Sequence, residues 1–420
     1  MVTLLQEQAA SYEKLIGRPV VLRSLLDKAK DKVIALGLVD PAVVTDDVEA
    51  FFNTSDMSIV IELAGGTGAA STFVRRALES GRHVVTANKA LLAEQGPELF
   101  ALARQHGVSI AFEASCGGGI PCITALQYGL MANRIDALYG ILNGTCNYIL
   151  TEMTGKGKTY DDALADAQKL GFAEADPTLD VTGGDTAHKI AILASLGFGV
   201  RLTADLVPTH GIDTLDLNDL KFGAELGYDI KLLAIAEREP GRDTIRVGVE
   251  PCFIHHKELL AQVGGAFNAL SVYGHAVGHT LYYGQGAGRM PTASAVMADV
   301  LNIASGWYPT AFAQMKLTPD LHDPAPLVPE RDWVSRYYLR INAVDRPGVI
   351  ARVTAELGER GISLSAVLQH EPEPGSEYVP VVIVTHEARK GDLDDAVKLI
   401  AEMDVVQGNP VLIRIVDMPE

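Results

Sequence analysis

Four carboxylates and a lysine lie close together in residues 171–189, whose sequence is GFAEADPTLDVTGGDTAHK. The acids are Glu174, Asp176, Asp180 and Asp185. Pro177 and Gly183–Gly184 favour a loop over the first part of this stretch. Asp185 can then cap a helix, and Lys189 follows four residues later on the same helical face. A lysine among acids suits proton transfer beside a small polar substrate, because burial lowers a lysine pKa and nearby carboxylates raise it. The alternative is an acidic surface loop ahead of a capped helix.

The N-terminal part of the chain alternates apolar, strand-like runs with helical segments. This pattern is typical of βαβ units, so we expect an α/β, Rossmann-like domain built on a parallel sheet. The predicted strands are Val20–Leu26, Ser58–Leu63, His83–Thr86 and Val108–Glu113. Ligands bind such sheets at the carboxyl ends of the strands. Those ends are the polar or glycine-rich stretches Glu62–Gly66, Thr86–Lys89 and Glu113–Gly119.

The pattern changes after Gly117, where helices begin to dominate and continue to about Tyr308. The predicted helices include Pro121–Met131, Tyr160–Leu170, Asp185–Leu196 and Met290–Ile303. Strands are expected at Ile245–Glu250 and Ser271–Tyr273, so this part is predicted to be an α+β domain. Residues 317–332 contain four prolines and predict a semi-rigid linker without a core of its own. The β-α-β-β-α-β order that follows is ferredoxin-like.

The composition excludes several classes of protein. A net charge of −18 argues against a nucleic-acid partner, because phosphate backbones require a basic face. No apolar run reaches the ~18 residues that a membrane span needs, and the N-terminus lacks the features of a signal peptide. The four cysteines show no metal-binding spacing and are predicted to be reduced thiols of a cytoplasmic protein.

Five stretches together resemble the homoserine dehydrogenase family. They are GFAEADPTLDVTGGDTAHK (171–189), TANKALLA (86–93), FEASCGGGIP (112–121), GILNGTCNYIL (140–150) and GQGAGRMPTASAV (284–296). The sequence DRPGVIA (345–351) resembles the first turn of an ACT domain, a small module that often binds amino acids at a dimer interface. The resemblance covers nearly the whole chain. It implies interconversion of L-homoserine and L-aspartate 4-semialdehyde with NADP or NAD, in threonine, methionine and isoleucine biosynthesis.

The resemblance implies a role for each residue of the acidic stretch. Lys189 is expected to be the general acid and base, with Asp185 close to the reacting hydroxyl. Glu174 and Asp180 match positions that hold the amino group of the substrate, since carboxylates suit a cationic ammonium. The Asn-Gly-Thr turn matches a loop that lines the substrate, through Gly144 and Thr145. Read without the resemblance, these acids are loop caps and solvated charges, and the Asn-Gly-Thr turn is a common one.

The resemblance also implies positions for the cofactor and for a monovalent cation, usually sodium. Expected cofactor-binding residues are Lys89, Gly66, Thr86 and Gly286, with Lys89 beside the nicotinamide. The expected cation ligands are Glu113 and the carbonyls of Cys116, Gly118 and Ile120, since hard cations prefer oxygen. The alternative is that the glycines of this loop only let the chain turn between domains. Asp27 and Lys28 leave the choice between NAD and NADP open.

The chain has no G-x-G-x-x-G motif near its start, where such a turn normally holds the pyrophosphate of a dinucleotide. Homoserine dehydrogenases have this motif, and MVTLLQEQAA resembles the helix that follows it. The resemblance therefore implies a Rossmann-like domain whose first strand and loop are absent from the chain as written. We expect that absence to leave Val20–Leu26 and Ser58–Leu63 without a neighbour to pair with.

These observations predict four segments. They are an NAD(P)-binding domain (1–116), a substrate domain (117–316, with 290–310 returning to the first), a proline-rich linker (317–332) and an ACT regulatory domain (333–420). An amino-acid effector such as threonine and a homodimer or homotetramer are expected, although the ACT module could instead be purely architectural. Two rival functions are a dehydrogenase for another small amino acid and an inactive or sensor-type amino-acid-binding protein.

Overall fold

The computed structural model describes residues 1–371 and 377–419. The chain divides into two units, which we call unit 1 and unit 2. Unit 1 comprises Met1–Ile135, His188–Leu206 and Gly274–Ala325, and unit 2 comprises Asp136–Ala187, Val207–Tyr273 and Pro326–Glu420. Among the described residues, no helix combines the length and the apolar character that a membrane crossing requires.

The strands are numbered in chain order. They are β1 (Leu25–Leu26), β2 (Val44–Thr45), β3 (Ile59–Glu62), β4 (His83–Thr86), β5 (Ile110–Ala111), β6 (Ile135–Ile141), β7 (Tyr228–Arg238), β8 (Ile245–His255), β9 (Phe267–Gly274), β10 (Gly278–Gln285), β11 (Val334–Val344), β12 (Leu364–Gln369), β13 (Tyr378–Thr385), β14 (Ala388–Arg389) and β15 (Val406–Val416).

The helices are numbered in the same way. They are α1 (Val2–Ile16), α2 (Lys30–Ala35), α3 (Val48–Phe52), α4 (Ala69–Glu79), α5 (Lys89–Gln105), α6 (Cys122–Thr124), α7 (Gly144–Lys156), α8 (Tyr160–Lys169), α9 (Thr178–Val181), α10 (Gly184–Phe198), α11 (Leu217–Glu225), α12 (Arg289–Ala304), α13 (Trp307–Gln314), α14 (Val349–Glu359) and α15 (Lys390–Ala401). Short turns of 3₁₀-helix lie between several of them.

Unit 1 is built on a parallel sheet in the order β3, β4, β5. Helix α4 buries Ala70, Val74, Ala77 and Leu78, whose spacing forms one apolar face. Helices α4 and α12 both pack against this sheet. The pairing of Glu62 with Thr86 brings the carboxyl ends of β3 and β4 side by side, as the α/β prediction requires.

Two strand predictions for unit 1 need correction. The strand expected over Val20–Leu26 is confined to Leu25–Leu26, and it pairs in parallel with Val44–Thr45. The strand expected over Ser58–Leu63 spans Ile59–Glu62 and pairs with β4. The expectation that both would lack a neighbour is therefore wrong, because each strand meets a parallel partner along one edge.

The helix expected over Pro121–Met131 is also shorter than predicted. Only Cys122–Thr124 is α-helical, and a π-helical turn follows over Ala125–Gly129. In this turn the Leu130 N–H donates to the Ala125 carbonyl at 2.8 Å, one residue further back than in an α-helix. The apolar periodicity of this stretch does not distinguish an α-helix from a π-helical turn, because both keep one side buried.

Unit 2 contains a mixed sheet in the order β9, β6, β7, β8, β15, β11, β13, β12. Its C-terminal half has the predicted β-α-β-β-α-β order, with β14 as an addition that pairs with β11. Helices α14 and α15 cover one face of that half through a core that includes Val353, Leu357 and Ile400. Strand β15 pairs in parallel with β8, from Arg414 opposite Cys252 to Val416 opposite Ile254. The ferredoxin-like module and the substrate segment therefore share one continuous sheet.

Candidate active site

An acidic cluster in unit 2 is organised by one asparagine. Asn143 follows β6 and caps α7, since its side-chain oxygen accepts the Cys146 N–H at 2.8 Å. Its amide nitrogen lies 2.7 Å from Asp180 Oδ1 and 2.8 Å from Asp185 Oδ2. Asn143 and Asp185 are both buried. One amide group therefore holds two carboxylates that would otherwise repel each other.

The next two residues of the same turn complete the cluster. Thr145 Oγ1 donates to the Phe172 carbonyl at 2.7 Å and lies 3.3 Å from Asp180 Oδ2. A Cβ added to Gly144 would stand 2.7 Å from the Ala266 carbonyl oxygen, so this position accepts no side chain without movement. Asp180, Asp185, Gly144 and Thr145, all singled out in the sequence, thus meet in one place.

Glu174 lies outside this cluster. Its side chain is exposed, and its backbone carbonyl accepts a hydrogen bond from Gln168 Nε2 at 3.2 Å. Asp176 is likewise exposed and bonds the hydroxyl and the N–H of Thr178, as expected for a loop cap.

Helix α10 carries both Asp185 and Lys189. The helix begins at Gly184, so Asp185 lies in its first turn and not at the N-cap position predicted from the sequence. The spacing of four residues puts the two side chains on the same face of α10. Lys189 is 8% exposed, and its backbone carbonyl faces the Cys116 thiol at 3.8 Å. The lysine is therefore largely removed from solvent, as the apolar sequence after it predicts.

A second network occupies the carboxyl ends of β3 and β4 in unit 1. Glu62 is buried, and its Oε1 accepts the N–H groups of Ala64 and Gly65 at 2.7 and 2.9 Å. Its Oε2 accepts the Thr86 hydroxyl at 2.7 Å. The carboxylate therefore fixes the Gly65–Gly66 turn, in which both glycines have positive φ, against the end of the neighbouring strand.

Asn88 extends this network to the start of α5. Its Nδ2 donates to the Gly66 carbonyl at 2.7 Å, and its Oδ1 accepts the Leu91 N–H at 3.1 Å. Lys89 is half-buried and is the first residue of the helix. Gly66, Thr86 and Lys89 are consequently gathered at one edge of the sheet.

The loop after β5 surrounds a buried glutamate. Glu113 accepts the N–H groups of Ile123 and Thr124 at 2.9 and 2.8 Å, together with the Thr124 hydroxyl. Burial raises the pKa of Glu113 above its ordinary value despite these hydrogen bonds, which lower it. The Glu113 N–H donates to Asp299 Oδ2 at 2.8 Å, and burial raises the pKa of Asp299 to about 8.

The glycines of this loop permit a close approach to the segment before α12. Gly118 has a φ of +56°, and a Cβ there would stand 2.4 Å from the Gly286 carbonyl oxygen. The Gly119 N–H donates to the Gln285 carbonyl at 3.1 Å. Burial raises the pKa of the Cys116 thiol to about 12, so this cysteine stays a neutral thiol. Cys116, Gly118, Ile120 and Gly286 therefore belong to one packed region of unit 1.

Three contributors to these networks were not predicted from the sequence. Asn143, Glu62 and Asn88 each hold a predicted residue in place through a side-chain hydrogen bond. Two of them have a local signal, because an asparagine just before a helix is a common N-cap. For Glu62, the only sequence feature that could have indicated its role is that it is an acid at the end of an apolar strand.

The chain matches three family descriptions. Residues 1–113 match "Homoserine dehydrogenase, NAD binding domain", residues 121–301 match "Homoserine dehydrogenase", and residues 337–403 match "ACT domain". Homoserine dehydrogenase of Pseudomonas aeruginosa is 45% identical to this chain, with 98% of this chain and 94% of that protein covered. Homoserine dehydrogenase of Bacillus subtilis is 38% identical, with 97% and 93% covered.

Solved structures give the same result. The crystal structure of a homoserine dehydrogenase from Thiobacillus denitrificans superposes with a TM-score of 0.92 at 40% identity, covering 99% of this chain and 95% of that one. The Staphylococcus aureus homoserine dehydrogenase crystallised at pH 8.5 gives a TM-score of 0.75 at 30% identity, covering 99% and 95%. The chain therefore belongs to the homoserine dehydrogenases, NAD(P)-dependent oxidoreductases that act on the CH–OH group of homoserine.

Proposed function

We propose that Lys189 is the general acid and base of the reaction and that Asp185 acts beside it. Oxidation of L-homoserine breaks the C–H and O–H bonds of its alcohol group to give L-aspartate 4-semialdehyde. Lys189 accepts the hydroxyl proton through Nζ in this direction and returns it when the aldehyde is reduced. NAD(P), when bound, supplies the acceptor and the donor of the hydride. One observation carries this proposal: α10 presents a buried lysine four residues after an aspartate held by Asn143.

The acidic cluster is proposed to bind the amino group of the substrate. Asp180 and Asp185 place two carboxylates around a single amide donor, so the cluster attracts a cationic ammonium. Gly144 is proposed to line the substrate through its backbone, and Thr145 contacts Asp180. Glu174, whose side chain is exposed, is proposed as a further ammonium ligand.

The edge of the unit 1 sheet is proposed to hold NADP or NAD. Gly66, Thr86 and Lys89 lie at the carboxyl ends of β3 and β4, where Glu62 bonds the Thr86 hydroxyl and Asn88 bonds the Gly66 carbonyl. The fit is favourable because Gly65 and Gly66 have no side chains that would keep a dinucleotide from the backbone. Lys89 adds a cation at the start of α5, where an anionic dinucleotide is attracted. Gly286 is proposed to complete the cofactor site through its backbone.

The Glu113 loop is proposed to hold a monovalent cation such as sodium. Among the described residues, no group of three or more His, Cys, Asp or Glu side chains could bind a metal ion, but a carbonyl site needs no such group. The proposed ligands are Glu113 and the carbonyls of Cys116, Gly118 and Ile120. The Ile120 carbonyl accepts the Cys122 N–H at 2.7 Å and keeps a second lone pair for an ion.

We propose that the four segments expected from the sequence have separate roles. Residues 1–116 bind the cofactor, residues 117–316 bind the substrate, residues 317–332 link the substrate domain to the ACT domain, and residues 333–420 regulate the enzyme. For the last segment we propose an amino-acid effector such as threonine, and for the whole protein a homodimer or homotetramer. We propose a cytoplasmic location for the protein, whose four cysteines are all buried.

The role of Lys189 is tested by the Lys189→Met variant. General acid–base catalysis contributes roughly 10²–10⁴-fold, so kcat for homoserine oxidation should fall by about that factor. Lys169→Met is the matched control, because Lys169 is exposed and ends α8. Circular dichroism should show the same fold in both variants. A Lys189→Met enzyme that keeps more than about a tenth of the wild-type kcat would overturn the role.

A further inference from the structure

A lysine that the reaction does not use is buried inside unit 2. Lys231 lies on β7 and is 6% exposed. Its ammonium donates to the Val263 carbonyl at 2.7 Å and lies 3.5 Å from Asn147 Oδ1. Burial lowers the pKa of Lys231 to about 8, although Asp229 opposes this effect. A cation in such surroundings is costly to bury, and the two oxygens that it contacts, on Val263 and Asn147, are uncharged.

Lys231 shares its carbonyl partner with Asn147 of α7. Asn147 Nδ2 lies 3.1 Å from the Val263 carbonyl, 3.0 Å from that of Gly265 and 3.1 Å from that of Phe267. The Gly265 N–H in turn donates to Thr151 Oγ1 at 3.0 Å. We call residues 263–267 the backing turn. This turn is therefore held from β7 by a lysine and from α7 by two polar side chains.

The backing turn contacts the loop that carries Asn143. The Ala266 carbonyl oxygen lies where a Cβ on Gly144 would be only 2.7 Å away. Asn268, immediately after the turn, donates from Nδ2 to the Leu142 carbonyl at 2.9 Å. The backing turn and the residue that follows it thus contact the residues on both sides of Asn143, whose amide holds Asp180 and Asp185.

We propose that Lys231 is a positioning residue for the amino-acid substrate. By fixing the backing turn it fixes the Leu142–Gly144 backbone, and through Asn143 it sets the separation and direction of the two carboxylates. The inference rests on the proposed substrate-binding role of Asp180 and Asp185. A buried ammonium is suited to the task because it donates to a carbonyl from a rigid strand, whereas an apolar side chain would leave that carbonyl held only by Asn147.

The test compares the Lys231→Met, Asp180→Asn and Lys221→Met variants of the full chain. Methionine matches the length of lysine without its donor, and Lys221 is an exposed control on α11. Because a small displacement of a binding group can cost ~100-fold, KM for homoserine should rise by roughly 10- to 100-fold in Lys231→Met. KM for NADP should stay within about twofold, because every proposed cofactor residue lies in unit 1.

Comparing the changes in KM and in kcat of Lys231→Met distinguishes a positioning role of Lys231 from a purely structural one. A purely structural role for Lys231 would reduce the amount of folded enzyme, and so the apparent kcat, with KM for homoserine unchanged; that result would overturn the proposal. If Lys231→Met does not fold, Thr151→Val decides the matter, since it removes one contact of the backing turn and should raise KM by a few-fold. An unchanged KM in Thr151→Val would then count against the proposal.

The Asp180→Asn variant distinguishes failure of the positioning role of Lys231 from failure of the substrate-binding role of the acidic cluster. If KM for homoserine rises in Asp180→Asn but not in Lys231→Met, the positioning role is wrong and the substrate role stands. If KM changes in neither variant, the proposed substrate role of the cluster is wrong, and the inference from Lys231 falls with it.

Discussion

Asn143 makes a cluster of two carboxylates possible at the residue scale. Two carboxylates meet at this one amide donor, and a cationic ammonium close to both gains more than it would beside a single acid. In our proposal the cluster binds the amino end of the amino-acid substrate. Lys189, four residues beyond Asp185 on α10, supplies the group that exchanges a proton in our proposal.

Asp180→Asn should weaken substrate binding. The amide has the shape of the carboxylate, yet it removes the charge that attracts the ammonium, and an NH₂ group on the Oδ1 side would face the Asn143 amide that donates there. Loss of one charge-assisted hydrogen bond costs ~1.5–3 kcal/mol, so KM for homoserine should rise by roughly 10- to 150-fold. Steady-state kinetics with varied homoserine measures this. A KM within twofold of wild type would count against ammonium binding at Asp180.

Residue types and spacing singled out the acidic stretch, the family resemblance assigned roles to its residues, and the remaining contacts depend on residues far apart in the chain. Asp180 and Asp185 were singled out by their place before an apolar helix, and the structure brings both to Asn143. Asn143 itself lies 37 and 42 residues before its two partners. No local pattern specifies that contact, because it forms only when β6 and α10 fold into place.

At the element scale, the tightest constraint on the glycine loop after Phe112 is the close approach of Gly118 to Gly286. Gly118 combines a φ of +56° with backbone contact to Gly286, so both its conformation and its lack of a side chain are needed. The same loop carries Glu113, whose carboxylate is bonded to the N-terminal residues of α6. Moving the loop would therefore disturb the proposed cation ligands and a proposed cofactor residue together.

Gly118→Ala and Gly107→Ala form a matched pair. Both glycines have positive φ, which costs an alanine ~1–2 kcal/mol, but Gly107 has open space around it. Gly118→Ala should lower the homoserine-dependent rate by ~10-fold or more, because the added methyl displaces the loop. Gly107→Ala should keep the rate near that of wild type. Equal rates in the two variants would show that the close approach has no bearing on activity.

The elements themselves were predicted best where the local signal was strong. His83–Thr86 is found as expected, because its β-branched residues follow a glycine that ends α4. Val20–Leu26 has a similar apolar run but pairs over only two residues. The π-helical turn at Ala125–Gly129 was read as α-helix, since side-chain periodicity does not distinguish the two over so few residues.

At the scale of the whole molecule, the ferredoxin-like module is built into the substrate segment of unit 2. Strand β15 joins β8, and Arg414 on β15 reaches Glu237 and Glu250 at 3.4 and 3.3 Å. Asp219 of α11 also bonds Arg340 of β11 through both oxygens, at 2.6 and 2.9 Å, and is fully buried. The sequence predicted the module but could not predict this pairing, which joins strands more than a hundred residues apart in the chain.

Removing the charge of Asp219 should destabilise unit 2. Asp219→Asn leaves Arg340 buried without its counter-charge, which costs ~3–5 kcal/mol. Glu377→Gln is the control, because the Arg346–Glu377 pair is exposed and its loss should cost no more than ~1 kcal/mol. Urea denaturation measures both free energies of unfolding. Similar values for the two variants would contradict the structural importance of the buried pair.

The measurement that tests the account most directly is the initial rate of NAD(P)⁺ reduction by the full chain. L-homoserine, L-serine and L-threonine should be compared at equal concentrations, with threonine binding followed by calorimetry in parallel. We expect rapid reduction with homoserine, a rate near background with the other two, and loss of the homoserine rate in Lys189→Met. No homoserine-dependent reduction, together with heat from threonine binding, would contradict the account and favour an amino-acid sensor.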